Sequence, residues 1–318
     1  MAKALRDVYG EALAACAREN EKIVVLDADL ANCTKTNALL PELSERHFNV
    51  GIAEANMVAM GAGFAESGFI PYVNTFSTLA ASMCLLTTKA MIGYSDLNVR
   101  IVGTNTGLCG GYDGATHHSY DDVNAMRAVP GLSILIPSDE RMVRWAVEEL
   151  SERFCGPAYM GISRNATDDI YSPEETFTIG EAKQLKDGAD LTIIACGMEV
   201  GRALTAAKQL AQDGIHAAVV DMFTIKPLDR AAILRAAQNT GAIVTAEEHS
   251  IIGGLGSAVL EVLAEEQLAI PCERVGILDC YTESGSYNYL VEKFGVGVEA
   301  IVVAAKRVYE KKEGTNHA

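Results

Sequence analysis

The chain has 318 residues, enough for two domains. At 49% hydrophobic and 21% charged residues it has the composition of a globular protein able to bury large cores without staples. Its formal net charge of -16 argues against a nucleic acid or an anionic membrane surface as partner, because both attract basic surfaces.

From Met1 the chain runs directly into a helical pattern over residues 5–20, with no signal-like apolar stretch and no window approaching the ~20 apolar residues of a membrane span. A cytoplasmic location is therefore expected. Ile23-Val24-Val25-Leu26 is a β-branched run suited to a buried parallel strand, ending in Asp27-Ala28-Asp29. Phe48–Val50 reads as a short strand and Ala53–Ala65 as a helix. Tyr72–Phe76 reads as a strand, with one long helix following to Ile92. Val99–Gly103 and Ser133–Ile136 are strands, and a helix is expected from Asp139 to Leu150. This alternation predicts a parallel α/β sheet.

Residues 166–188, rich in Asp, Pro, Glu, Lys and Gly, break the rhythm and are expected to link two domains, 1–165 and 189–318. The alternation then restarts, with strands at 191–195, 217–221, 242–246 and 274–278. Helices are expected at 199–212, 229–238, 256–266 and 299–311, before a frayed polar tail from Lys311 to Ala318. The fold class expected is thus α/β with two parallel-sheet domains.

Three segments are candidates for chemistry. In Gly51-Ile52-Ala53-Glu54-Ala55-Asn56-Met57, Glu54 is a lone acid in an apolar, small-residue stretch. It is either an acid favouring a helix N-terminus or a buried acid sharing a proton with a ligand nitrogen; composition alone favours the first. Gly103–His118 carries a strand out into a glycine-rich loop bearing Asp113, His117 and His118, and ligands bind beyond the carboxyl ends of such strands. Adjacent residues of an extended chain face opposite ways, which argues against one metal shared by His117 and His118. Ile251–Ala258 resembles a dinucleotide fingerprint but lacks the third glycine in register, and reads as a tight turn. None of the eight cysteines is spaced Cys-x-x-Cys, so they read as free thiols in apolar surroundings.

As an ordered set, Ala28-Asp29-Leu30, Gly51-Ile52-Ala53-Glu54-x-Asn56-Met57, Asp113-Gly114-Ala115-Thr116-His117, Ser163-Arg164-Asn165 and Glu247-Glu248-His249 with Gly253-Gly254-Leu255-Gly256 resemble the C-terminal two-thirds of transketolase. The resemblance implies a pyrimidine-binding domain followed by the family's C-terminal domain, and thiamine diphosphate as cofactor. No Gly-Asp-Gly…Asn segment for the diphosphate and its metal is found. It therefore implies a separate N-terminal-type subunit that supplies these, with Mg2+ or Ca2+ on that subunit, and a dimer of heterodimers. Glu54 would bond the aminopyrimidine, Phe76 would stack on it, and Asp29 would lie by the thiazolium. Asp113, His117 and His118 would meet the substrate, and Arg6 and Arg164 its phosphate. Asn105 stands where the family has a phosphate-contacting histidine, Cys33 where it has a serine, and Leu79 and Ser82 where it has aromatics. The implied reaction is transfer of a two-carbon ketol unit from a ketose, expected to be phosphorylated, to an aldose. The beta subunit of a 2-oxo-acid dehydrogenase decarboxylase and a deoxyxylulose-phosphate-synthase-like enzyme are the rival readings. The implied job of the C-terminal domain is pairing subunits.

Overall fold

The β-branched run after the first helix becomes strand β1 (Ile23–Asp27), buried at every position, as a strand covered on both faces must be. In the computed structural model, which describes residues 3–316, it is followed by β2 (His47–Asn49), β3 (Ile70–Phe76), β4 (Arg100–Thr104), β5 (Ser133–Leu135) and β6 (Ala158–Ile162). Next come β7 (Lys183–Lys186), β8 (Leu191–Ala195), β9 (Ala217–Asp221), β10 (Thr224–Lys226), β11 (Ile243–Ser250) and β12 (Cys272–Ile277). Two sheets result, ordered β10-β5-β6-β4-β3-β1-β2 and β12-β11-β8-β9-β7. Both are parallel except at one edge each, where β10 and β7 run antiparallel to their neighbours. Two mostly parallel α/β sheets match the expected fold class.

Helix Leu5–Glu19 packs against helix Glu140–Glu152, burying Tyr9 and Leu13 with Trp145 and Val147 on one face of the first sheet. Asp139 caps the second of these helices, accepting the Met142 N–H at 2.9 Å. The segment between the two sheets is not loose. Its Phe177 is buried against Trp145, ring centroids 5.2 Å apart, and Trp145 also meets Phe223 from beyond β9. Strand β10, encoded after the second sheet has begun, crosses back to pair with β5 of the first.

Some elements differ from expectation. The helix expected to reach Ile92 breaks into Ser77–Ser82, Leu85–Thr87 and a wider-wound turn Thr88–Gly93. Strands β6, β7 and β10 were not anticipated. Ala158-Tyr159-Met160-Gly161-Ile162 lacks a β-branched run, Lys183–Lys186 is polar as an edge strand should be, and Thr224–Lys226 is very short. The tail expected to fray continues the last helix, Val298–Asn316, while residues 317 and 318 lie outside the described residues. Cys16, Cys84, Cys109 and Cys196 are buried, whereas Cys155 and Cys280 are exposed. Burial pushes the thiols of Cys84 and Cys109 up to about 12.

Asp221, at the end of β9, is fully buried at the domain junction. Its Oδ2 accepts from Ser138 Oγ at 2.5 Å and Tyr171 OH at 2.8 Å, while Oδ1 has no hydrogen-bond partner among the described residues. Burial pushes its carboxyl up to about 7 from the ordinary 3.8. A raised folded-state value means that stability present below pH ~4 is lost as pH rises towards 7. Asp221→Asn cannot ionise and escapes that loss. In urea denaturation, the stability difference between variant and parent is expected to move in the variant's favour by up to about 4 kcal/mol between pH 4 and pH 8. Parallel pH profiles for the two proteins would contradict this.

Candidate functional site

The parallel register of the first sheet aligns the carboxyl ends of β1, β3, β4 and β6 along one rim: Phe76 pairs with Thr104, and Thr104 with Ile162. The chain leaves those ends as Ala28-Asp29-Leu30, Phe76, Asn105 and Ser163-Arg164, and a cleft forms there, as parallel sheets favour. The first helix joins this rim because Ala4 bridges Ala166 and the Leu5 N–H donates to Asn165 O at 3.0 Å. That pairing brings Arg6 beside Arg164.

The cleft has a volume of about 600 Å³ and is lined by Arg6, Leu30, Cys33, Phe76, Asn105, Asp113, His117 and Arg164. Six of the nine candidate residues thus share one concavity. Phe76 meets the His117 ring edge-on, centroids 6.1 Å apart. Arg164 Nη1 donates to Asp113 Oδ2 at 2.9 Å, and Arg6 Nη1 to Cys33 O at 3.3 Å. The Arg164–Asp113 pair is about a third or more exposed on both sides, so water screens it and an incoming anion can compete for the guanidinium. Asn105 is buried in the left-handed region, φ 65°, with its Oδ1 unpartnered among the described residues; asparagine is among the few side chains that tolerate this conformation. The Arg6 Nε is likewise buried without a partner. Two unpaired polar atoms on a cleft wall are costly unless a ligand satisfies them.

Asp29, Glu54 and His118 do not line this cleft. Asp29 is exposed at φ 62°, exchanging hydrogen bonds with Asn49. His118 corrects the sequence reading: it is 2% exposed and turned into the second domain. Its Nε2 donates to Gly111 O at 3.0 Å, since a carbonyl can only accept, so Nδ1 accepts from Thr282 Oγ1 at 2.7 Å. Burial lowers its affinity for a second proton. The turn over 115–117, whose His117 and His118 N–H groups both donate to Gly114 O, leaves His117 lining the cleft and carries His118 towards Thr282.

Glu54 opens helix Glu54–Glu66, as the helix-start reading expects, and is 4% exposed. Its carboxylate makes no hydrogen bond to any described residue, and its charge helps hold the Cys84 thiol up. Two residues before it Ile52 is 82% exposed, and Leu86, on the short helix that packs against this one, is 77% exposed.

One group the sequence reading passed over lies beneath the rim. Asp27 is fully buried and accepts from Thr34 Oγ1 at 2.7 Å, from Thr36 Oγ1, and from His47 Nε2 at 3.1 Å. It holds the turn that carries Leu30 and Cys33 into the cleft. An aspartate ending a buried strand was the available signal. In the glycine-rich stretch, the glycines serve packing more than ligand approach: a Cβ at Gly107 would lie 2.4 Å from Glu248 Oε1, and one at Gly110 would lie 2.9 Å from the His118 ring. The fingerprint-like turn before helix Leu255–Glu265 is filled by the chain's own Glu247, which accepts the Leu255 and Gly256 N–H groups at 2.6 and 2.8 Å. Among the described residues, no group of three or more His, Cys, Asp or Glu could hold a metal, and no helix is long and apolar enough to cross a membrane.

Comparison with known proteins agrees with this architecture. Residues 1–168 match the family model for the transketolase pyrimidine binding domain, and residues 180–301 that for the transketolase C-terminal domain. The chain is 41% identical to the 6-deoxy-6-sulfo-D-fructose transketolase subunit SqwH of Clostridium sp. (strain MSTE9), covering 97% of this chain and 95% of that one. It is 42% identical to a putative transketolase C-terminal section of Methanocaldococcus jannaschii, over 98% of each. A solved structure described as a split gene transketolase, inactive beta4 tetramer, superposes with a TM-score of 0.89 at 42% identity, over 97% of this chain and 99% of that one.

Proposed function

The chain belongs to the transketolase family, and from that premise we propose that it is the pyrimidine-binding subunit of a two-chain transketolase, active with an N-terminal-type partner that carries the cofactor's diphosphate and its metal. The observation that carries the reading is the pairing of a buried, unbonded Glu54 with a cleft that gathers Phe76, Asp113, His117 and two arginines.

These residues fit thiamine diphosphate. Glu54 is mostly buried and bonds no described residue, which leaves its carboxyl free to bond a ring nitrogen of the cofactor. Phe76 offers an aromatic face at the end of β3. Once bound, the cofactor supplies the carbon nucleophile that carries the two-carbon unit. Glu54 would share a proton with the pyrimidine ring nitrogen, and so set the basicity of the ring's amino group. His117 and Asp113 would orient sugar hydroxyls, with Asn105 Oδ1 accepting one more. Arg164 and Arg6 would bind the anionic end of the ketose, a task suited to planar guanidinium groups. A relative acts on a sulfonated fructose, so sulfonate and phosphate sugars are both candidate donors. The exposed apolar residues around Glu54, including Ile52 and Leu86, are the surface on which the partner chain would close the cofactor site.

The test is thiamine diphosphate titration, by calorimetry, of this chain alone, of a diphosphate-binding partner chain alone and of the two mixed. Tight, saturable binding is expected only for the mixture, together with ketol transfer from an anionic ketose. Equal affinity of this chain alone would overturn the shared-site model, and pyruvate decarboxylation without ketol transfer would favour the dehydrogenase-subunit reading.

A further inference from the structure

The loop that carries Asp113 and His117 is tied at its base and held from outside its own domain. At the base, the Gly107 N–H donates to Ser119 O at 2.7 Å and the Ser119 N–H to Gly107 O at 3.0 Å, closing residues 107–119 into a compact loop. Within its own domain Arg164 also holds it, through Asp113 at 2.9 Å and Gly110 O at 3.5 Å, and further anchors come from the second domain. Glu248, near the end of β11, has only 7% of its side chain exposed. Its Oε1 accepts the Leu108 N–H at 2.8 Å. Its Oε2 accepts from Tyr287 OH at 2.5 Å and from Arg202 Nη1 at 2.9 Å.

Arg202 is itself held on both sides. It pairs with the fully buried Glu199, donates to Tyr287 OH at 2.7 Å, and lies 5.4 Å from the centre of the Tyr287 ring. Leu108, next to the bonded amide, is buried among Ile277, Leu290, Val291 and Val296 of the second domain. Gly107 takes φ +62° and leaves no room for a Cβ against Glu248. Further along the loop, His118 bonds Thr282 at 2.7 Å, and Ser284 Oγ donates to Tyr112 O at 2.9 Å.

We propose that Glu248 is a positioning residue for the transketolase site: through the Leu108 amide it fixes the loop whose Asp113 and His117 face the substrate. The second domain thereby takes part in catalysis within the same chain, beyond any role in pairing subunits. Apolar packing alone could join two domains, and a buried ion pair is not needed for that. A directional bond from a fixed carboxylate to one main-chain amide sets where the loop sits, and misplacing a reacting group by about 1 Å can cost about a hundredfold in rate. The catalytic arm of the proposal rests on the proposed transketolase function; the structural arm does not.

Two measurements on the full chain test it. In hydrogen–deuterium exchange, Glu248→Ala should speed exchange in 107–118 at least tenfold while β8 and β9 keep their protection. In the complex with the partner chain, the same variant should lower kcat/KM for the ketose about 10- to 100-fold and leave thiamine diphosphate affinity unchanged. Glu248→Gln keeps one acceptor oxygen but sets an amide donor against the remaining donors, and should show the same pattern at smaller amplitude than Glu248→Ala. If Glu248→Ala fails to fold, Tyr287→Phe, which keeps the ring over Arg202 and removes one bond to Glu248, should give the same pattern at smaller amplitude. Unchanged exchange in the loop, or equal loss of cofactor affinity and turnover, would overturn the proposal. Absence of ketol transfer in the parent complex would instead overturn the functional reading and leave the exchange result to decide the clamp.

Discussion

Glu54→Gln is expected to lower kcat of the assembled complex by about 10²- to 10⁴-fold, the span that one acid–base group supplies. Glutamine matches the acid in shape and can still contact a ring nitrogen, but it cannot share a proton with it. Because Glu54 makes no hydrogen bond to any described residue, the substitution breaks no internal contact, and the variant should fold and associate as the parent does. Steady-state turnover, thermal unfolding and partner binding together check this. Full activity in the variant would remove Glu54 from the chemistry, whereas loss of folding would mean that the acid serves structure.

Arg164→Ala is expected to lower kcat/KM for an anionic ketose by about 10- to 100-fold, mainly through KM, as fits the loss of charge-assisted hydrogen bonds worth about 1.5–3 kcal/mol. A neutral ketose of the same backbone should lose far less. The substitution also releases Asp113 from its 2.9 Å ion pair, but that pair is solvent-screened, so loop order should change little. Comparing phosphate, sulfonate and neutral donors on parent and variant reads the anion preference directly. An equal loss on all three would mean that Arg164 acts on loop geometry and not on the anion.

Much of the fold could be read locally. Ile23–Asp27 and Leu191–Ala195 are rich in β-branched residues and are buried at every position, and such runs announce strands of a covered parallel sheet. Strand β6 could not be read that way, because Gly161 and Ala158 carry no strand preference and are ordered by their neighbours β4 and β5. The site was legible through its ordered motifs more than through physics. No local pattern brings Arg6 to Arg164; the Ala4–Ala166 bridge does, and it is a long-range contact. His118 shows the reverse. That neighbouring side chains point apart was available in the sequence, and in the structure His117 lines the cleft while His118 bonds Thr282 of the second domain. The Glu248–Leu108 bond could not be inferred, since it joins residues far apart in the chain through a main-chain amide that leaves no compositional mark.

Strand β10 has a consequence for anyone dividing this protein. Cut at the segment between its sheets, the first half would lose β10, the strand paired with the outer side of Ser133–Leu135. A short, apolar stretch of backbone would then face water with its hydrogen-bonding groups unmet, a template for stacking against other copies. Trp145 would be stripped of Phe223 at the same stroke. The cofactor-facing half is therefore not a portable module: swapping or trimming the distal half exposes the adhesive side of the proximal one.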